Sequence, residues 1–496
     1  MRDWLAHRVR STPTALAVIN GANGDRWTYR ELDAVVERTA ERLAGLGLSP
    51  GDHCGVLMET RFAFVRLIHA AMRLGVRLVP LNARLTPSEL AGQAERADLD
   101  VLIAGGSFAE TAMSIVDGTP VVTVDADTEG NTLQCISKSP ISPPEWTLDD
   151  PQAMLFTSGT TGEPKAVVLT MGNFLASAGG SAFRLGIQPD DRWLVPLSMY
   201  HMGGLAPVLR STLYGTTVVY QREFDPTAVV AAIDDYRTTG TSLVPTMLRR
   251  ILDVETELGP SLRFVLLGGA PASTELIDRC ERHGVPVYPT WGMTETASQI
   301  ATATPQEAFK HDDTVGTPLL FTDVIVIDRE ETPVDSGEIG ELVVDGPTVT
   351  PGYYDDPDRT AEALCAYGLK TGDIGYQDES GRLWVLNRKD DRIITGGENV
   401  NPGEVIDVLR DHPAVKDAAV VGIEDPEWGE RVAALLVPAD GIESIDVEAV
   451  LEFCRDRLAG YKVPKTIQIA GELPRTASGT VDRSAVRDRL QGAEEE

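Results

Sequence analysis

Ten residues from Phe156 to Lys165, FTSGTTGEPK, concentrate groups that bind a polyanion. Thr157, Ser158, Thr160 and Thr161 offer hydroxyl donors, while Gly159 and Gly162 let backbone N–H groups turn toward an anion. Lys165 adds a mobile point charge in a chain that has only eight lysines. The apolar runs on either side, AMLFT (153–157) and AVVLT (166–170), read as buried strands, so the loop joins strand to strand. A Walker A loop instead opens a helix and carries Gly-x-x-x-x-Gly-Lys-Ser/Thr. The chemistry implied is a cradle for a triphosphate.

Further segments carry chemistry downstream, in this order: PLSMYHMGG (196–204), LGGAP (267–271), TWGMTETASQ (290–299), KTGD (370–373) and NRKDDR (387–392). Asp373 offers an ionised carboxylate able to accept from two vicinal hydroxyls. Together with the cradle, these segments closely resemble the acyl-adenylate-forming superfamily of acyl-CoA synthetases, luciferases and adenylation domains. The resemblance spans essentially the whole chain.

That resemblance implies a fold, a reaction and a set of roles. A carboxylate is a poor acyl donor, and attack on the α-phosphate of ATP converts it to an acyl-adenylate with loss of pyrophosphate. Charge moves onto the leaving group, which calls for Mg²⁺ and cations; CoA then enters as co-substrate. Lys165 and Thr294 would meet phosphate, Glu295 would hold the metal, and Asp373 would accept from the ribose hydroxyls. Gly268, Gly269 and Ala270 with Trp291 would form the adenine slot, and Arg388 would reach ribose or phosphate. Asp390 matches the position about which the family's small domain swings between two poses. Gly396, Gly397, Glu398 and Asn399 would line a pantetheine tunnel in the second pose.

Two segments narrow the expectation. TGGENVNP (395–402) and GMTETASQ (292–299) look like those of the ligases that activate o-succinylbenzoate on the way to menaquinone. Such an acid has two carboxylates and only the succinyl one is activated, so the other needs a counter-charge. Arg210, nine residues after His201 on a helix entered at Gly203 and Gly204, is the candidate. His201, Gly204 and Gly292 are expected to line the acyl pocket. The nearest alternatives are another aryl- or medium-chain acyl-CoA ligase and a catalytically impaired nucleotide- or acyl-binding protein. The second has a specific motive. LPRTASGT (473–480) ends in Thr480 where the family carries a lysine that bridges the acyl carboxylate and the α-phosphate. Arg475, Arg483, Lys462 and Lys465 are the candidate replacements. Ala166, where glycine is commoner, is a smaller departure.

Composition bounds the rest. The chain has 496 residues, 75 acidic and 44 basic, for a formal charge of -31. Such a surface suits a salt-rich, halophilic cytoplasm, where screening removes self-repulsion, and argues against nucleic acid as a partner. Cys54, Cys135, Cys280, Cys365 and Cys454 stand singly and offer neither a metal site nor a disulfide framework. The sequence has no membrane-spanning run and no signal-peptide core, so the expected location is cytoplasmic and the expected partner a small carboxylic acid. A homodimer is left open.

The elements that must position these groups alternate between helix and strand, which is the pattern of α/β layers. Thr28 and Glu31 form a capping-box pattern opening a helix to about Ala44, followed by a strand from His53 to Met58. Similar units recur around residues 62–74 and 226–236, each followed by an apolar strand. From Val315 the texture changes to short strands. The last hundred or so residues read as a separate α+β piece. The expected architecture is an α/β N-terminal domain over 1–388, built of two α/β subdomains and a small β-rich one. A hinge at 389–392 and a small mobile α+β domain over 393–496 complete it.

Overall fold

A computed structural model describes residues 1–125, 132–157, 164–270, 272–388, 393–400, 402–439, 441–442, 444–474, 481 and 483–492. The chain divides into two compact units. One comprises Met1–Ala83, Gln93–Phe156 and Ala166–Leu386; the other comprises Arg84–Gly92, Thr157–Lys165 and Asn387–Glu496. Among the described residues the strands join into three sheets.

The six-stranded sheet runs Val121–Thr123, Val101–Ala104, His53–Leu57, Arg77–Pro80, Pro151–Thr157, Lys165–Thr170. Its first four strands pair in parallel. Helices supply the crossovers. Thr28 and Glu31 do form a reciprocal capping box at the start of the helix Tyr29–Gly45. Gly75, at φ 89°, ends the helix Phe62–Leu74 with a left-handed residue that only glycine adopts without strain. That helix is apolar nearly all round, and its residues from Ala63 to Leu74, Arg66 excepted, are buried.

The fourteen-stranded sheet begins in parallel pairing through Val287–Met293, Phe264–Leu267, Gly240–Leu243, Arg192–Val195, Thr217–Tyr220 and Leu16–Asn20. It continues in antiparallel pairing through Ser298–Thr302, Thr314–Pro318 and Leu383–Arg388 into Gly368–Gln377, Gly340–Asp345 and Asp323–Ile327. The short strands after Val315 therefore extend an existing sheet. They keep a core of their own around Trp291, Ile300, Val324, Leu342 and Leu383. The change from parallel to antiparallel pairing falls on the strand Val287–Met293, which leads into the TWGMTETASQ segment.

In the second unit a long hairpin, Val415–Asp425 with Gly429–Pro438, is buried on both faces. Ala418, Val420, Val432, Ala434 and Leu436 point into one core, and Ala419, Val421, Ala433 and Leu435 into another, as the period of two demands. No helix among the described residues is long and apolar enough to cross a membrane. All five cysteines are free; Cys54, Cys280 and Cys454 are buried and Cys135 is exposed.

Candidate nucleotide and acyl site

The first unit builds its candidate site on one strained hairpin. Strand Val287–Met293 passes through a single 3₁₀ turn, Thr294–Thr296, and returns as Ser298–Thr302. Ala297 and Ser298 have φ of 51° and 113°, a left-handed pair that non-glycine residues rarely adopt. A Cβ on Gly292 would lie 1.7 Å from the Ser298 carbonyl oxygen, so the tight return requires glycine there. Gly292 thus acts by close packing beside the site.

The turn presents Glu295 in a buried setting, 6% exposed. Tyr353 Oη donates to its Oε1 at 3.2 Å, and the Glu295 carbonyl accepts from Thr350 N at 2.7 Å. Among the described residues Glu295 makes no ion pair. A buried carboxylate left with a phenolic donor is the arrangement a hard cation satisfies, so the residue fits Mg²⁺. Tyr353 carries no motif signal beyond its place after Gly352 and escapes the sequence reading. Thr294, its neighbour in the turn, is where a phosphate-binding hydroxyl is expected.

Asp373 lies inside the strand Gly368–Gln377, after the left-handed Gly372, and is 4% exposed. Its Oδ2 accepts from the indole N–H of Trp291 at 2.8 Å. Trp291 is itself 7% exposed and packs in the core around Ile300 and Leu342. The ring therefore anchors Asp373 from a buried position. Gly268, Gly269 and Ala270 follow strand Phe264–Leu267, and a Cβ on Gly268 would lie 2.7 Å from Thr290 Cγ2. This brings the glycines against the residue preceding Trp291.

His201 is the N-cap residue of the helix Met202–Tyr214 and stands edge-on to Tyr200, ring centroids 4.8 Å apart. Gly204 lies so close to the Ser198 carbonyl that a Cβ would fall 2.3 Å from its oxygen. On the same helix Arg210 is 3% exposed. Nη1 donates to Gln299 Oε1 and Nη2 to Ser177 Oγ, each at 2.8 Å, and Ser177 Oγ donates to the Ala297 carbonyl at 2.7 Å. Among the described residues no carboxylate reaches Arg210, and burial lowers its pKa, only partly opposed by Tyr214. Gln299 pairs with Gly292 in the hairpin register, so the buried cation abuts the hairpin that carries Glu295. Gln299 stands within TWGMTETASQ, but an uncharged side chain gives no sign in sequence that it holds an arginine. Ser177 gives none at all.

The second unit holds the other expected residues. Thr157 ends the strand Pro151–Thr157, and its buried Oγ1 has no partner among the described residues. An orphaned buried hydroxyl beside a Ser/Thr/Gly loop fits a phosphate oxygen. Ser158, Gly159, Thr160, Thr161 and Gly162 lie outside the described residues, and Lys165 opens the strand Lys165–Thr170. Arg388 ends the strand Leu383–Arg388, its side chain outside what is described; Asp390, Arg475 and Thr480 also lie outside. Gly396 and Gly397, at φ 57° and 81°, turn the hairpin whose Glu398 pairs with Arg84 at 3.0 Å. Lys462 is buried between Glu89 (2.6 Å) and Glu404 (2.8 Å), so this candidate replacement for the missing lysine is already committed to two carboxylates. Lys465 lies over the Trp428 ring at 4.4 Å, and Arg483 opens the helix Arg483–Gly492. Among the described residues no group of three or more His, Cys, Asp or Glu side chains that could hold a metal occurs.

Comparison with known proteins shows the family. Residues 5–354 match the family model of the AMP-binding enzymes, and residues 404–480 match that of the AMP-binding enzyme C-terminal domain. The chain is 40% identical over 482 residues to a 2-succinylbenzoate–CoA ligase of Bacillus licheniformis, covering 97% of this chain and 98% of that one. It is similar to a double mutant of o-succinylbenzoate CoA synthetase from Bacillus subtilis bound with its product analogue OSB-NCoA, with a TM-score of 0.91 at 36% identity and 99% of each chain covered. The structure of the Bacillus subtilis enzyme with ATP and magnesium ion matches with a TM-score of 0.75 at 35% identity, again over 99% of each chain. With a family model over most of its length and a close relative over nearly all of it, this chain belongs to the AMP-binding enzyme family.

Proposed function

We propose that the protein activates o-succinylbenzoate with ATP and transfers the acyl group to CoA, as an acid–thiol ligase of menaquinone synthesis in the cytoplasm. The observation that carries the substrate is Arg210. A buried guanidinium with neutral hydrogen-bond partners is costly in itself, and a second carboxylate on the substrate is the group that compensates it. The full-length likeness to 2-succinylbenzoate–CoA ligases supports the same reading.

In the first half-reaction an oxygen of the succinyl carboxylate bonds to the α-phosphorus of ATP, the bond from that phosphorus to the bridging oxygen breaks, and pyrophosphate leaves. In the second the CoA sulfur bonds to the acyl carbon, its proton is lost, and AMP leaves with both electrons of the acyl–oxygen bond. Thr157, Ser158, Gly159, Thr160, Thr161, Gly162 and Lys165 would hold the triphosphate, with Thr294 on the phosphate next to the acyl group. Glu295 would hold Mg²⁺, which when bound neutralises the charge gathering on pyrophosphate. Asp373, fixed by Trp291, would receive the ribose hydroxyls; Gly268, Gly269 and Ala270 would admit the base, and Arg388 would reach ribose or phosphate. Asp390 would serve as hinge between a domain over 1–388 and one over 393–496. His201, Gly204 and Gly292 would shape the acyl pocket.

The test is acid-dependent pyrophosphate release and CoA-thioester formation in molar KCl, with o-succinylbenzoate, benzoate, cinnamate and octanoate. The expected outcome is strong preference for the first. Turnover confined to the others would make the protein a different acyl-CoA ligase. No pyrophosphate with any acid would mean that Thr480 has removed adenylation and left a binding protein.

A further inference from the structure

We infer that Gln299 sets the preference for an acid bearing a second carboxylate, by holding Arg210 in place without neutralising it. The inference rests on the reading of Arg210 just given. It follows from counting protons along a chain of side chains.

Thr290 Oγ1 lies 2.8 Å from the Ala301 carbonyl oxygen, which can only accept, so the single hydroxyl proton of Thr290 is committed there. Thr302 Oγ1 lies 2.8 Å from Thr290 Oγ1 and must therefore donate to it. The Thr302 oxygen is left to accept, and Gln299 Nε2 donates to it at 2.8 Å. The orientation of the Gln299 amide is thus fixed by a backbone carbonyl three links away, and its oxygen faces Arg210 Nη1 at 2.8 Å. The other neighbour is set in the same way. Ser177 commits its proton to the Ala297 carbonyl at 2.7 Å, so its oxygen accepts from Nη2.

Arg210 is therefore gripped by two acceptors whose polarity cannot reverse and neither of which carries charge. Gln299, Thr302, Ser177 and Arg210 are 1%, 0%, 2% and 3% exposed, so water does not screen the cation. The two bonds use two of the five N–H groups of a guanidinium. Glutamate at 299 would have the same shape and would cancel the charge; glutamine keeps it available to a substrate anion. Gln299 is in this sense a positioning and specificity residue that need not touch substrate.

The experiment compares KM for o-succinylbenzoate with KM for benzoylpropionate, the same keto acid without the ring carboxylate, in wild type, Gln299→Glu, Gln299→Leu and Arg210→Met. KM for ATP and a thermal melt of each variant serve as controls. Gln299→Glu should raise KM for the diacid by on the order of ten- to a hundredfold, the worth of a charge-assisted hydrogen bond, and leave benzoylpropionate and ATP within about twofold. Gln299→Leu, which keeps the charge but frees the guanidinium, should raise the diacid KM by roughly three- to tenfold. If Arg210→Met abolishes the preference for the diacid and Gln299→Glu does not, the inference is overturned while the reading of Arg210 stands. If neither changes the preference, the reading itself fails and takes the inference with it. Equal loss with both acids in Gln299→Glu would reduce Gln299 to a structural residue and also overturn the inference.

Discussion

Arg73 and Arg210 are equally buried, each 3% exposed, and the protein treats them in opposite ways. Arg73, on the helix Phe62–Leu74, meets Asp33 at 2.6 Å, Glu37 at 2.9 Å and Asp3 at 3.2 Å. Burial works to lower its pKa, but Asp3 and Asp33 outweigh burial and raise it above the ordinary arginine value. Among the described residues Arg210 meets an amide oxygen and a hydroxyl oxygen and no carboxylate, and burial prevails. A cation that serves the fold is neutralised where it stands. A buried cation held only by neutral acceptors is one that an anion would compensate. Glu295 is the complement in the same unit, a buried anion whose hydrogen-bond donor is the Tyr353 phenol.

The sharpest way to break this contrast is to remove both charges. Arg73→Met leaves Asp3, itself 3% exposed, in the interior without its cation, and should lower unfolding free energy by about 3–5 kcal/mol. Arg210→Met leaves only Gln299 and Ser177 a bond short. Its stability change in denaturant titration without substrate should stay within about 1 kcal/mol, because the desolvation penalty of the guanidinium disappears with it. Equal losses in the two variants would mean that Arg210 is as structural as Arg73, and the contrast would collapse.

Next in size is the anionic half of the comparison. Tyr353→Phe removes the phenolic donor to Glu295 while keeping the ring. If Glu295 holds the metal, the Mg²⁺ concentration giving half-maximal pyrophosphate release should rise by roughly ten- to a hundredfold, the usual effect of losing a group that orients a metal ligand. KM for the acid should not move. An unchanged Mg²⁺ dependence would take Glu295 out of the metal site.

The fold was largely legible in sequence because its helices carry local signals: the Thr28–Glu31 capping box and the apolar stretch Phe62–Leu74 both stand where the pattern placed them. The continuity of the short strands after Val315 with the larger sheet was not legible, because pairing between Leu383–Arg388 and Thr314–Pro318 is a long-range choice that no local pattern states. Asp373 lies inside a strand, although Lys370 to Asp373 looks locally like a turn until the neighbouring strand Gly340–Asp345 is present. Motif positions such as Glu295 could be read from residue type and spacing. Their partners could not: Tyr353, Ser177 and Gln299 come from distant segments and are recognised only when the hairpin, the helix Met171–Leu185 and the helix Met202–Tyr214 are packed together. Lys462 shows the converse. Sequence offered it as a spare cation, and its two carboxylates sit 373 and 58 residues away.

The smallest effect concerns the neighbour of Arg73. His69, one turn earlier on the same helix, is 1% exposed; its Nε2 lies 3.3 Å from Thr212 Oγ1, and its Nδ1 has no partner among the described residues. Burial pushes its pKa down to about 4, with Asp3 partly opposing and Arg73 adding to the depression. An unfolded histidine titrates near 6.5, so the unfolded chain binds the extra proton first. The contribution of His69 is therefore fully present above about pH 6.5 and is lost as pH falls toward 4, at up to ~1.4 kcal/mol per unit, or roughly 2 kcal/mol between pH 7 and pH 5. Glu404, pushed up to about 6 mainly by burial, acts with the opposite sign, since its contribution is lost as pH rises through that value. The quantity to measure is thus the difference in unfolding free energy between wild type and His69→Gln at pH 7 and pH 5. The wild type should lose about 2 kcal/mol relative to the variant on acidification. A difference independent of pH would mean that His69 takes up its proton inside the fold, with Asp3 shared between it and Arg73, and the clean division between neutralised and uncompensated cations would have to be redrawn around that trio.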